Sequence, residues 1–156
     1  MSAVWLASPE QAKAVAGLLV EFRDHLGHLR PSEQSCMESV DRLIGRADTE
    51  FLLAAVGDGG APAGVCQLRY RHSVWTAAED CWLEDLFVSE RSRRRGLARA
   101  LVRHALGRAR ERGALRVELD THEDNHEALG LYESLGFSAY CKGPSRSLFL
   151  GVRLDR

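Results

Sequence analysis

The sequence predicts a mixed α/β domain: a central, mostly antiparallel sheet of six to seven strands with one parallel crossover, flanked by about four helices. Three observations lead there. Short apolar or alternating runs recur along the 156 residues, each bounded by polar or turn-forming flanks. Two of them, CWLEDLFV (81–88) and LRVELD (115–120), are separated by a stretch of helical periodicity. Strands joined by such a crossover run parallel. The run FLLAAV (51–56) is separated from AGVCQLRYRH only by the turn-forming GDGGAP, so 51–72 reads as an antiparallel hairpin.

Taken in order, Ala3 to Ala7 reads as a short strand, and SPEQ as a helix start with Ser8 as cap and Pro9 at the first helical position. The first helix is expected from Pro9 to about Leu29, burying Val15, Leu18, Leu19, Phe22 and Leu26. A second covers Ser32 to Arg46, with Val40, Leu43 and Ile44 inward. After the hairpin, SVWTAAED is a loop and 81–88 a strand with two adjacent carboxylates, Glu84 and Asp85. Strict alternation would send those two to opposite faces of the sheet. The helix 94–112 follows, with Leu97, Leu101, Ala105 and Ala109 on one face and Gly113 as its stop. EDNHEALGLYESLG is the last helix, with Asp124 as cap and Gly136 as stop. FSAYC and RSLFLGVRL read as two closing strands around a KGPS turn. Nothing marks a linker or a repeat, so 1–156 is expected to be one domain. A chain of this size buries about two thirds of its unfolded surface and needs no staple.

Composition narrows the partners. The formal net charge of −1 speaks against a general nucleic-acid or membrane-surface binder, which needs an excess of Lys and Arg. Cys36, Cys66, Cys81 and Cys141 are widely spaced, form no CxxC pair, and suit neither a disulfide framework nor a metal site. His122 and His126 straddle a helix start without a third ligand, so no metal is expected. No basic leader with a long apolar run opens the chain, and FLLAAV is too short to span a bilayer; a cytoplasmic location is the expectation.

Against this near-neutral background, SRRRGLARAL (92–101) packs four arginines around Gly96. Positive charge opposes the dipole at a helix start, where a merely solvated end would carry acids. A helix N-terminus has unpartnered amides that bind phosphate, and a glycine lets a ligand approach the backbone. A phosphate site, a nucleic-acid patch and a solvated helix end are the three readings of the stretch.

VSERSRRRGLARALV resembles the acetyl-coenzyme A loop of the GCN5-related N-acetyltransferase (GNAT) superfamily, whose pattern of Gln or Arg, two residues, Gly, one residue, then Gly or Ala is met by Arg93, Arg94, Arg95, Gly96, Leu97 and Ala98. NHEALGLYESLGF (125–137) is similar to a second signature of that superfamily at Asn125, Ala128, Leu131, Tyr132, Leu135, Gly136 and Phe137. The resemblance covers about residues 3–153 in element order and 81–140 in detail. Ala98 replaces the commoner Gly, and Gly130 lies inside a predicted helix at a cost of about 1 kcal/mol against Ala.

The resemblance implies a GNAT fold and acetyl-CoA as co-substrate. It implies that backbone amides of Arg94–Arg99 hold the pyrophosphate, with Arg93 to Arg95 adding charge. Leu86, Phe87 and Val88 would receive the pantetheine arm as an added strand, and Asn125 would bond it. Tyr132 would be the general acid for a departing thiolate; the alternative for it is a half-buried helix aromatic. CWLEDLFV, with the upstream YRHSVW, is similar to polyamine and thialysine N-acetyltransferases, in which carboxylates of this strand hold the cationic amine. That points to Glu84 first, as substrate ligand and base, and Asp85 second, with His72 and Trp75 lining the acceptor pocket; an ion pair with a nearby arginine is the other reading of Glu84. The implied activity is direct acetyl transfer to a small cationic amine. Acetylation of a protein N-terminus or lysine, and a non-catalytic CoA-binding module, are the alternatives. Pairing of two copies through RSLFLGVRL would give a homodimer.

Overall fold

The computed structural model describes residues 1–155. Two compact units make up the chain, Met1–Leu119 and the part from Asp120 onward.

The first unit holds a five-stranded sheet in the order β1-β2-β3-β4-β5: β1 Ser2–Leu6, β2 Thr49–Val56, β3 Gly64–Ser73, β4 Ala78–Val88 and β5 Arg116–Glu118. β1 to β4 run antiparallel to their neighbours, and β5 is parallel to β4. The parallel crossover is made by α3, Leu97–Glu111, as the helical period between the two runs requires. The β3–β4 hairpin is longer than its sequence suggests: only Val74–Ala77 form the tip, because Ser73 already pairs with Ala78.

Each sheet face is covered by helices. Phe51, Leu53, Val65 and Phe87 point to one face and pack with α1 (Ala12–His25) and α2 (Glu33–Ile44), through Val15, Ala16, Leu18, Cys36 and Val40. Residues of opposite parity face α3, whose Leu97, Leu101, Val102, Ala105 and Ala109 are buried. Gly64 permits that approach: a Cβ there would lie 3.1 Å from Leu101 Cδ1.

The helix boundaries differ from the sequence reading for local reasons. Pro9–Gln11 form a 3₁₀ turn before α1, and the Gln11 side chain accepts from the Ser8 amide at 3.1 Å. α1 ends at His25, short of Leu29, and Gly27 has a positive φ that breaks the helix. α3 starts at Leu97 rather than 94, because Arg94 (φ 60°) and Gly96 (φ 77°) are left-handed.

In the second unit, α4 spans His126–Ser134. Its cap is Asn125, not Asp124: the Asn125 side-chain oxygen accepts from the Ala128 amide at 3.3 Å. Tyr132 is buried and meets Phe137 edge-on, with centroids 5.6 Å apart. A Cβ at Gly130 would meet nothing within 4 Å, so close packing does not explain that glycine. The expectation of six to seven strands is corrected here. Among the described residues neither 137–141 nor 146–154 forms a strand, and the sheet ends at β5. Both segments have strand-like composition, but a strand exists only with a partner to complete its hydrogen bonds.

Candidate active site

Three features of the first unit converge at the C-terminal end of β4. The first is an open edge. β5 pairs only with Asp80, Cys81 and Trp82, so among the described residues the stretch from Leu83 to Val88 is bonded to β3 alone. An extended chain can add there through backbone hydrogen bonds. Leu86, Phe87 and Val88, read from the sequence as the arm-binding stretch, lie on it.

The second is the start of α3. Gly96 caps the helix without a side-chain acceptor, and the first helical bond runs from the Ala100 amide to the Gly96 carbonyl at 3.0 Å. The amides of Leu97, Ala98 and Arg99 therefore have no acceptor within the helix. Arg94 and Gly96, both left-handed around Arg95, turn the loop into the kind of concave backbone nest that binds anions. A polyphosphate fits this donor set: unpartnered amides, a helix dipole and guanidinium groups at one point.

The arginines divide by role. Arg94 and Arg95 are exposed and Arg99 half-buried. Arg93 turns back instead: its Nε donates to the Val88 carbonyl at 3.1 Å, its guanidinium lies 5.8 Å from the Phe87 ring centre, and its Nη2 lies 3.4 Å from His25 Nδ1. It fixes the loop to the end of β4 and to α1. Arg91 is 4.0 Å from Glu21, which also accepts from the buried Ser89 hydroxyl at 2.8 Å.

The third feature is a bulge in β4. Gln67 pairs with Asp85 and Leu68 with Leu83, so Glu84 has no opposite residue on β3. The extra residue cancels one step of alternation. Asp85 shares the face of its partner Gln67 and of Phe87, the face covered by α1 and α2. Glu84 shares the side of Arg69, with Oε1 3.6 Å from Arg69 Nη1, and Arg69 has the parity of Gln67 on β3. Both carboxylates thus lie on one face. The expectation that they face opposite sides is wrong, because a bulge is a property of the strand pair and not of one strand. The Glu84–Arg69 contact is long, and both side chains are more than a third exposed. Such a pair contributes about 0–1 kcal/mol and yields readily to a competing cation.

His72 and Trp75 lie elsewhere in the first unit. His72 is exposed near the end of β3, opposite Glu79, and Trp75 is 97% exposed at the hairpin tip. Neither stands beside Glu84 within the strand pair. Asn125 and Tyr132 belong to the second unit; the Asn125 oxygen is used by the cap, which leaves its NH₂ group as the donor.

Sequence reasoning missed the ionic cluster on the α3 face. Glu50, 7% exposed, accepts from Arg108 and from the Tyr70 hydroxyl at 3.0 Å, with Arg112 3.7 Å away. Arg112 also stacks 3.7 Å over the Tyr70 ring and pairs with Glu79 at 3.1 Å. Burial raises the Glu50 pKa, but the Arg108 hydrogen bond and charge, with Tyr70 and Arg112, outweigh it and hold the carboxyl below its ordinary value. The signal was there: an acid opening an apolar strand, and two arginines four apart on a helix.

The cysteines offer no nucleophile in the core. Burial is the main cause that raises the thiol pKa of Cys36 and of Cys66, and it pushes Cys81 up to about 12. All three stay protonated at neutral pH. Among the described residues no group of three His, Cys, Asp or Glu side chains is placed to hold a metal, and no helix is long and apolar enough to cross a membrane.

A parallel strand pair with an unpaired stretch beyond it, next to a helix start suited to phosphate, is an arrangement that an acyl-CoA-dependent transferase can use. The chain belongs to the acetyltransferase (GNAT) family, whose profile matches residues 18–137. Enzymes of this family are N-acetyltransferases that use acetyl-CoA. The thialysine N-epsilon-acetyltransferase of Caenorhabditis elegans is 25% identical over 83% of this chain and 79% of its own. The streptothricin acetyltransferase of Streptomyces lavendulae is 37% identical over 63% of this chain, which spans about half (49%) of that protein. A solved structure of a proposed acetyltransferase from Arthrobacter sp. FB24 superposes with a TM-score of 0.86 at 27% identity, covering 97% of this chain and 96% of that one.

Proposed function

We propose that this protein transfers an acetyl group from acetyl-CoA directly to the primary amine of a small cationic, polyamine-like acceptor. The observation that carries the reading is the bulge, which sets Glu84 and Asp85 on one face beside the open edge of β4. The similarity to a thialysine acetyltransferase supports the same acceptor class. The open edge from Leu86 to Val88, the amides of Arg94–Arg99 and the Asn125 NH₂ group hold the co-substrate, which supplies an activated acetyl thioester. The guanidinium groups of Arg94, Arg95 and Arg99 attract its phosphates.

Glu84 and Asp85 hold the acceptor ammonium and draw it away from water. An alkylammonium with a pKa near 10 must lose its proton before it can attack, and the Glu84 carboxylate takes that proton, directly or through a water. Tyr132 supplies the proton to the leaving sulfur from its hydroxyl. No acylated cysteine intervenes, consistent with the protonated core thiols.

Incubation with acetyl-CoA and a panel of diamines, polyamines, amino acids and peptides, with release of free thiol measured, tests the reading. Turnover is expected for acceptors carrying a second cationic group. Tight CoA binding without turnover on any amine contradicts catalysis, and turnover confined to peptides contradicts the acceptor class.

A further inference from the structure

Glu21 stands where charge alone would not put it. It lies one turn before the end of α1, where the helix dipole disfavours an acid. It also meets the arginine-rich loop proposed to hold phosphate, and its carboxylate subtracts from the attraction that loop offers an anion. Arg91 accounts for little of this placement. The two groups are 4.0 Å apart, with side chains 68% and 44% exposed, and such a pair contributes next to nothing.

The stronger contact is with Ser89. Its hydroxyl donates to Glu21 Oε2 at 2.8 Å, and Ser89 is fully buried. A hydrogen bond to a charged acceptor is stronger than one between neutral groups. Ser89 is the first residue after β4, and its backbone is engaged on both sides. Its amide donates to the Ala63 carbonyl at 2.8 Å, and its carbonyl accepts from the Ser92 amide at 2.9 Å across the 3₁₀ turn Glu90–Ser92. The loop leaves the sheet at this point. One turn further along α1, His25 Nδ1 lies 3.4 Å from Arg93 Nη2. Phe22 stacks on Phe87, with ring centres 5.1 Å apart and planes 9° from parallel. Glu21, Phe22 and His25 share one face of α1 and meet Ser89, Phe87 and Arg93 in turn.

We infer that Glu21 is a positioning residue for the co-substrate loop: by holding the Ser89 hydroxyl it fixes where the loop leaves β4, and so the aim of the amides at the start of α3. The role rests on the proposed function, which puts the phosphates of acetyl-CoA at that loop. Charge and hydrogen bond act in opposite directions here and can be separated. A carboxamide at position 21 still accepts from Ser89, no longer repels phosphate and releases Arg91. A methyl group gives up the hydrogen bond as well.

Isothermal titration calorimetry with acetyl-CoA, on the unaltered protein and three variants of the full chain, tests the role. Glu21→Gln is expected to bind about 2–3-fold more tightly than the unaltered protein. Glu21→Ala, matched to Glu21→Gln in charge, is expected to bind about 5–10-fold more weakly than Glu21→Gln, the effect of one lost positioning hydrogen bond. Ser89→Ala leaves the charge of Glu21 in place and should weaken binding by a similar factor relative to the unaltered protein. Should Ser89→Ala not fold, the charge-matched pair at the partly exposed Glu21 still decides. Equal affinities for Glu21→Gln and Glu21→Ala overturn the role, because the hydrogen bond then contributes nothing to binding. An unaltered protein that does not bind acetyl-CoA overturns the proposed phosphate site, and the role with it.

Discussion

Replacing Gly96 by alanine isolates the conformation of the loop proposed to hold phosphate. Gly96 sits at φ 77° and ψ 11°, and a Cβ added there would meet nothing within 4 Å. The substitution therefore introduces no clash and removes no side-chain contact. What it adds is the cost of a left-handed residue with a Cβ, about 1–2 kcal/mol. The loop is exposed at Arg94 to Gly96, so the free protein escapes this cost by relaxing the loop, and the ligand must restore it on binding. A cost of 1–2 kcal/mol corresponds to an affinity for acetyl-CoA weaker by about 5–30-fold. Gly113 supplies the control. It has φ 80°, also with nothing near its absent Cβ, but at the opposite end of α3. Gly113→Ala carries the same intrinsic cost and is expected to leave affinity unchanged. Isothermal titration calorimetry with acetyl-CoA, alongside thermal melting, makes the comparison. Equal affinities for Gly96→Ala and the unaltered protein would refute the reasoning, as would equal losses for the two variants.

Three more expectations follow from the site and its surroundings. Glu84→Gln with Asp85→Asn removes both charges at the bulge; kcat/KM for a cationic amine should fall by about 10–100-fold, with acetyl-CoA affinity unchanged by calorimetry. Tyr132→Phe should lower kcat by about 10²-fold or more while amine KM stays nearly constant; a fall confined to KM would make Tyr132 a positioning residue. Glu50→Gln leaves Arg108 and Arg112 around an uncharged group and should destabilise the fold by about 2–4 kcal/mol, discounted for the partial exposure of both arginines, read by urea denaturation. The Glu50 pKa is depressed in the folded state, so its contribution is fully present above its ordinary value of 4.5 and lost as pH falls below it. The gap in stability between the unaltered protein and Glu50→Gln should close in that acid range.

The sequence placed the α3 loop, the β4 strand and the α4 helix correctly because each is local. A glycine among arginines, an apolar run with two acids, and a helical repeat after Asn125 need no partner to be read. What it could not show was pairing. The bulge at Glu84 arises where β4 meets β3, and nothing in CWLEDLFV alone announces an extra residue, so both carboxylates were expected to diverge. The left-handed turn at Arg94 delays α3 to Leu97, and arginine gives no signal for such a conformation. Arg93 fits the phosphate motif by position, yet its side chain is held by the Val88 carbonyl, which only the folded loop reveals.

In the proposed function, β4 beyond Trp82 and the start of α3 together receive acetyl-CoA. Amide hydrogen exchange with and without acetyl-CoA tests it most directly. Slowed exchange is expected within Leu86–Val88 and Arg94–Arg99, with no change at the Val74–Ala77 hairpin tip. Binding that leaves both of those stretches unprotected would contradict it.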